Sequence, residues 1–490
     1  MEISLAAFVS NEDKNIYTIS NLPEEVIAVI FAYVSRSPLS FRENLRKLLK
    51  SNDLDLTKYT TNNSTLFSKK ASEFHEKWVV KYGHNSVAEH AIAHVGIEKI
   101  SRLASAELEL ATTFNSFTEY SQRYQRPCKN NFYTPKILTN ELREEYYHFQ
   151  QKAFEVYEKI HNKLMKFLSL NENKKEGETE KSFLKRIEKI SFENARYVLT
   201  LATFTNLGLT GNARSLRDTI VTMLSSQNDE CREIGLQMKE EISKSIPTLL
   251  KYAQESSYLI KTKNILKEKF NKFKQEKITS SSTKINFLNL PDYIESLKFL
   301  VTLLFITTKN ISYEKASELV KNFPKEKLEK IIEEALEKLP FFENPLTELL
   351  HLTYTWEMKI SEANWHQLLR HNRKTSFTYS RPTTTFGYIT PPLIKCANIT
   401  TLFSSFMEEA DKLYKKIYNF NERVAEYVVT NSHLRQIVCT ASLWELYHLI
   451  NLRTTKEAQW DIRDTFNDIL KFLEKEHPIL IKYAKRRSKN

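Results

Sequence analysis

Glycine is scarce, with seven in 490 residues. Rossmann and P-loop sites need glycines clustered at a strand-to-helix turn so that backbone can approach phosphate. The sequence holds no such cluster. A phosphate ligand must therefore be held by side chains, chiefly Arg, Lys, Ser and His. The four cysteines, Cys128, Cys231, Cys396 and Cys439, are scattered and form no C-x-x-C pair. That spacing argues against a structural zinc site and a disulfide framework, and no metal is expected. No apolar run approaches the roughly 18–20 residues that cross a bilayer. Met1-Glu2-Ile3-Ser4 lacks the charged-then-apolar pattern of a secretory signal. A cytoplasmic protein without a membrane partner is expected.

What is present in excess is positive charge, +12 in formal terms. It suits polyanionic partners such as nucleotides, folates or nucleic acid, and a lysine-rich composition bias explains it equally well. The basic tail Lys482 to Asn490 could suggest RNA, but short basic tails are usually solvated and frayed, so nucleic acid is not expected.

The chain also repeats itself at an offset of about half its length. Ile100-Ser101-Arg102-Leu103 is followed by Ser116-Phe117-Thr118-Glu119-Tyr120-Ser121-Gln122-Arg123. Ile360-Ser361-Glu362-Ala363 is followed by Ser376-Phe377-Thr378-Tyr379-Ser380-Arg381. Such self-similarity implies two related domains, which also fits the length. We divide the chain into a first domain over 1–260, a lysine-rich linker over 261–284 and a second domain over 285–490. Residues 171–181 read as a surface loop, and a lysine-rich helix can start the linker. Glu326 to Leu339 carries an apolar stripe at helical spacing. His90 to Ile100 and Leu352 to Ile360 alternate as strands do, and each ends at an Ile-Ser where a helix begins. The fold class is α+β with abundant helix.

Three constellations can carry chemistry. A helix through Gln367, Arg370, His371 and Lys374 would gather polar groups within a turn, with Leu368 and Leu369 inward. Four donors beside a Ser/Thr-rich loop make an anion site, or else a solvated basic face. Arg453 and Glu457 are four apart and suit a helix-surface ion pair. Gly211-Asn212-Ala213-Arg214 at a helix start can present donors to phosphate, or be an ordinary helix start with a surface arginine.

Together these stretches resemble the flavin-dependent thymidylate synthases. The first half matches at Gly83-His84-Asn85-Ser86 with Glu89-His90, at Ile100-Ser101-Arg102, Tyr120-Ser121-Gln122-Arg123, Ala195-Arg196 and Asn212-Ala213-Arg214-Ser215-Leu216. The second matches at His366-Gln367-Leu368, Arg370-His371, Leu452-Arg453 and Ala458-Gln459-Trp460-Asp461-Ile462-Arg463. Shared order weighs more than any one motif, because Arg196 to Asn212 spans the same distance as Glu426 to Ser442. The resemblance implies two tandem helix-rich domains, each with a small antiparallel sheet packed by long helices. It implies methyl transfer to dUMP giving dTMP, with FAD as cofactor and NADPH and methylenetetrahydrofolate as co-substrates. It gives Arg453 a catalytic role and assigns dUMP to Gln367, Arg370, Ser380, Arg381, Ser121, Arg123 and Arg196. It assigns FAD to His84, Ser86, Arg370, His371, Arg373, Asn212 and Arg214. Four domains build such sites, so a homodimer of pseudo-tetrameric shape is expected, with folate and dUMP as partners.

The chain also departs from the family pattern. Glu107 to Phe114 holds neither Arg nor His where the first half should carry Arg-His-Arg. Met223 stands at the downstream arginine, Gln227 at the nearby histidine, Glu426 at the Ala-Arg arginine, and Ser442 to Leu446 replaces Asn-Ala-Arg-Ser-Leu. The losses in the two halves are mostly complementary, so half the usual sites can survive. A non-catalytic nucleotide- or flavin-binding descendant, acting as sensor or scaffold, and a flavoenzyme acting on another pyrimidine stay open as alternatives.

Overall fold

The computed structural model describes residues 4–34, 38–50, 73, 76, 85–127, 129–273 and 285–487. His84, Cys128 and the last part of the expected linker lie outside these residues. The fold is a helix-rich α+β arrangement with two small antiparallel sheets. No helix among the described residues is long and apolar enough to cross a membrane.

The chain forms two compact units that cut across sequence order. The first comprises Met1–Ser121, Asn131–Leu138 and Ala202–Glu276. The second comprises Gln122–Asn130, Thr139–Leu201 and Lys277–Asn490.

The first unit holds β1 (Ile92–Ser101), β2 (Ser116–Glu119) and β3 (Phe204–Asn212), in the order β1-β3-β2. Pairing runs from Ile92 opposite Asn212 to Ser101 opposite Phe204, with a register shift between Ile97 and Ile100. Lys99 takes φ 54° inside that shift, which marks a bulge. At the end of β1 the Ser101 hydroxyl accepts from the Ala104 N–H and caps the helix Arg102–Leu110. The same hydroxyl donates to buried Glu230 at 2.6 Å. At the end of β3 Asn212 caps the helix Ala213–Leu224 by accepting from the Ser215 N–H. The lysine-rich helix after this core spans Ser257–Phe270 and buries none of its residues.

The second unit repeats this order. It holds β4 (Asn286–Asn289), β5 (Thr353–Ser361), β6 (Thr375–Tyr379) and β7 (Leu434–Ser442), in the order β4-β5-β7-β6. Pairing runs from Thr353 opposite Ser442 to Ser361 opposite Leu434 without a shift. Alternation along β5 drives Tyr354, Trp356, Met358 and Ile360 into the core, and each such side chain contributes about 1.5–3 kcal/mol by leaving water. Ser361 caps the helix Glu362–Leu368, and Ser442 caps Leu443–Arg453. The Ser361 hydroxyl donates to buried Asp461, as Ser101 does to Glu230.

Long helices complete the second unit. Asn140–Asn171 buries Tyr146, Phe149, Ala153, Tyr157, Ile160 and Leu164 at helical spacing. Its Phe149 ring stacks on Phe406 of the helix Thr400–Phe420, with centroids 5.0 Å apart. The segment after Glu180–Ala195 pairs with its counterpart from the second half. Leu201 N–H donates to Val429 C=O at 2.8 Å, and Asn431 N–H to Leu199 C=O at 2.9 Å. This pairing lays Arg196 and Glu426, which hold matching sequence positions, on two adjacent antiparallel segments. The loop read over 171–181 is non-helical over 172–179, and helices take up both flanks.

Candidate active site

Arg453 is the last residue of the Leu443–Arg453 helix, where Thr454 closes the final turn. Glu457 therefore lies beyond the helix end, and a helix-surface ion pair between the two is excluded by the path of the chain. Arg453 turns back on the segment Gln367 to His371 instead. Its Nη2 donates to the Gln367 C=O at 2.8 Å. Its Nε and Nη2 lie 3.0 and 2.7 Å from Nε2 of His371. A guanidinium only donates, so Nε2 is the bare nitrogen of His371 and Nδ1 carries the proton. Among the described residues no carboxylate lies within ion-pair distance of Arg453. Burial, then the nearby charges of Arg370 and Arg123, hold Arg453 down at about 10. Partly buried positive charge next to positive charge is costly to keep, and an anion would relieve it.

The helix expected through Gln367 and Lys374 is shorter than its polar spacing suggested. It ends at Leu368, a single 3-10 turn covers Leu369–His371, and β6 begins at Thr375. The β-branched Thr375 and Thr378 and the aromatic Phe377 favour pairing with β7, which takes over before Lys374 could join the helix. Leu368 and Leu369 do point inward, both nearly fully buried. Arg370, Arg373 and Lys374 are exposed. Lys374 Nζ sits 3.2 Å above the Trp444 ring.

Two arginines of the first half lie in this same unit. Arg123 donates through Nε to Glu193 at 2.7 Å and through Nη2 to the Glu457 C=O at 3.0 Å. Arg196 is buried, and Asn431 Nδ2 donates to its C=O at 2.9 Å. The next residue, Tyr197, donates its hydroxyl to Asp461 at 2.9 Å and accepts from Gln459 Nε2 at 2.9 Å. Asp461 also accepts from Asn364 Nδ2 at 3.0 Å. Burial raises Asp461, against the hydrogen bonds from Ser361, Tyr197 and Asn364 and the charge of Arg196. The structure thus brings Arg123, Arg196, Gln367, Arg370, His371, Arg373 and Arg453 into one compact unit.

The remaining expected residues are placed otherwise. Arg381 Nε donates to Glu426 at 2.9 Å, and Arg423 Nη1 reaches the same carboxylate at 2.9 Å. Ser380 is tied into the sheet edge, where its N–H donates to the Gln436 C=O. Ser86, Ser121, Asn212 and Arg214 belong to the first unit. Ser86 is exposed on the short helix Asn85–Ala88, Ser121 is half-buried, Asn212 is a helix cap, and Arg214 pairs with Glu89 at 2.6 Å. Sequence reasoning passed over Tyr197, Glu445 and His448. The Gln-Trp-Asp of the last motif was the available signal for the buried Asp461 network.

A cavity of about 460 Å³ opens beside Trp460 and is walled by Asp461, Asp464 and Asp468 with Lys359 and Tyr388. None of the arginines above lines it, and its three carboxylates suit no phosphate.

The sequence model of the family described as thymidylate synthase complementing protein matches residues 19–248 and 302–479. The chain belongs to this family. It is 24% identical over 498 residues to a UPF0159 protein of Chlamydia muridarum, covering 98% of this chain and 93% of that one. It is also 24% identical over 453 residues to UPF0159 protein Ta1429 of Thermoplasma acidophilum, covering 84% and 88%. A flavin-dependent thymidylate synthase of Sulfolobus acidocaldarius is 34% identical over 152 residues, 28% of this chain and 55% of its own length. The family's description points to thymidylate-synthase-like chemistry.

Proposed function

We propose that the second unit carries a dUMP site assembled from both halves of one chain, and that the protein makes dTMP from dUMP. Methylenetetrahydrofolate supplies the carbon and NADPH the reducing equivalents. The observation that carries this reading is Arg453, oriented by His371 and Gln367 yet facing Arg370 and Arg123 with no carboxylate beside it among the described residues. Arg196 and Arg370, with Gln367, neutralise and orient the nucleotide phosphate, joined by Arg123 when it exchanges Glu193 for that phosphate, each charged hydrogen bond contributing about 1.5–3 kcal/mol. Arg453 grips the bound nucleotide at a pyrimidine carbonyl and stabilises negative charge that develops there. The exposed guanidiniums of Arg370 and Arg373 fit the pyrophosphate of FAD. When bound, the flavin supplies hydride transfer. The equivalent position is closed, because Met223 stands where a counterpart of Arg453 is needed and both Arg381 and Arg423 are held on the buried Glu426. The halves arise from a tandem duplication, and the working form is a cytoplasmic homodimer.

The test is dTMP formation by FAD-loaded protein given dUMP, methylenetetrahydrofolate and NADPH, read by chromatography. dTMP and dUMP-dependent NADPH oxidation are expected. Absence of both, with no dUMP binding by calorimetry, refutes the proposal. Binding without turnover would favour the sensor or scaffold alternative.

A further inference from the structure

Three ionisable side chains meet behind Arg453 in a way the proposed reaction does not use. Glu445 is buried on the Leu443–Arg453 helix, and its Oε1 lies 3.7 Å from Nδ1 of His371. The His448 ring, one turn further along, stands 5.5 Å from the His371 ring. The ligand atoms of the three lie within 4.8 Å of one another, which is a spacing a metal ion could use.

The surroundings argue against a metal. Arg453 donates into Nε2 of His371, so the proton sits on Nδ1, the nitrogen facing Glu445, and leaves no lone pair there for an ion. Positive charges also surround the cluster. Arg453 and Arg370 face His371, Lys374 faces Glu445, and Arg453, Arg487, Lys374 and Arg486 face His448.

We propose that Glu445 is a positioning residue for Arg453, acting through the tautomer of His371. This rests on the reading of Arg453 given above. Ionised, Glu445 lies 3.7 Å from Nδ1, beyond hydrogen-bond distance, and its charge favours the Nδ1–H tautomer that holds Nε2 bare toward the guanidinium. Protonated, Glu445 loses that charge and offers Nδ1 a donor in its place. The ring proton then moves to Nε2, where it opposes the N–H groups of Arg453, and the guanidinium loses its acceptor. Burial pushes the Glu445 carboxyl up to about 7, with Lys374 acting against it. Burial and the nearby Arg453, His448 and Arg370 keep His371 neutral, well below the ordinary histidine range. The change of tautomer therefore follows Glu445 and involves no charging of the imidazole.

The test combines nitrogen-resolved NMR of histidine-labelled protein with dUMP calorimetry between pH 5.5 and 8.5, for wild type and Glu445→Gln. In wild type the His371 signals should pass from the Nδ1–H form at high pH toward the Nε2–H form with a midpoint near the Glu445 titration. dUMP affinity should fall about 3–10-fold along the same curve, as expected for loss of one oriented hydrogen bond. Glu445→Gln should lose both pH-dependent changes. Protonation of the dUMP phosphate affects both proteins alike and cancels in the comparison. Wild-type behaviour in Glu445→Gln overturns the proposal. So does stoichiometric zinc binding that shifts the His371 and His448 signals together. A tautomer that follows Glu445 in a protein that never binds dUMP supports the relay and refutes the functional reading.

Discussion

Arg453→Ala and Arg381→Ala should separate binding from stability, because the structure gives these arginines opposite surroundings. Arg453 has no carboxylate partner among the described residues and faces Arg370 and Arg123. Its removal deletes hydrogen bonds to a carbonyl and an imidazole but also relieves repulsion between guanidiniums, so the folded protein should lose less than about 1 kcal/mol. Nucleotide loses one or two charge-assisted bonds of roughly 1.5–3 kcal/mol each, which weakens dUMP about 10–100-fold. Arg381 is the reverse case. Its side chain is 38% exposed, while that of its partner Glu426 is 2% exposed. Losing Arg381 leaves a buried carboxylate with Arg423. Stranding a buried charge outright costs about 3–5 kcal/mol, and the remaining arginine and the exposure of Arg381 cut this to about 1–2 kcal/mol. At roughly 2–4 °C per kcal/mol the melting temperature should drop by about 2–8 °C, with dUMP affinity unchanged. Calorimetric titration and thermal melts on both variants provide the assay. Unchanged dUMP affinity in Arg453→Ala, or a comparable loss in Arg381→Ala, would refute the assignment of the open and closed positions.

Two further outcomes follow from buried groups. The folded-state value of Glu445, about 7 against an ordinary 4.5, means that the folded chain holds the extra proton. Its stabilising contribution is full below the unfolded value and is lost as pH rises through about 7. Glu445→Gln should therefore gain stability relative to wild type between pH 5 and 8, by on the order of 3 kcal/mol at most. A constant difference across that range in denaturant titrations would count against the assignment. Gly211→Ala places a Cβ against Asn115 Oδ1 and within 3.1 Å of Leu216. It should melt the first unit several degrees early while leaving Arg453 untouched, and an unchanged thermal transition would contradict the packing described there.

Local features of the chain were legible in its sequence. The two Ile-Ser steps ended strands and capped helices, Asn212 was a helix start, and Leu368-Leu369 pointed inward. These follow from alternation and capping chemistry, which act over a few residues. Features set by partners far along the chain were not legible. Lys374 looked helical until pairing with β7 claimed Thr375 onward. Arg453 and Glu457 looked like neighbours on a helix until Thr454 closed the last turn. The role of Glu426 became clear only from its partners, Arg381 and Arg423. The helices between Asn140 and Ala195 lie within the first half in sequence, yet they group with the second half in the compact unit that holds Arg453. That regrouping places Arg123 and Arg196 with Arg370 and Arg453, and no pattern within either half could announce it.

The central claim is that each chain keeps one nucleotide site, built from both halves, and has closed its counterpart. The most direct measurement is the stoichiometry of dUMP binding to flavin-loaded protein by isothermal calorimetry. The account predicts one dUMP per chain, abolished or strongly weakened by Arg453→Ala and retained in Arg381→Ala. Two equivalent sites per chain, or no binding in protein that carries its flavin, would contradict it.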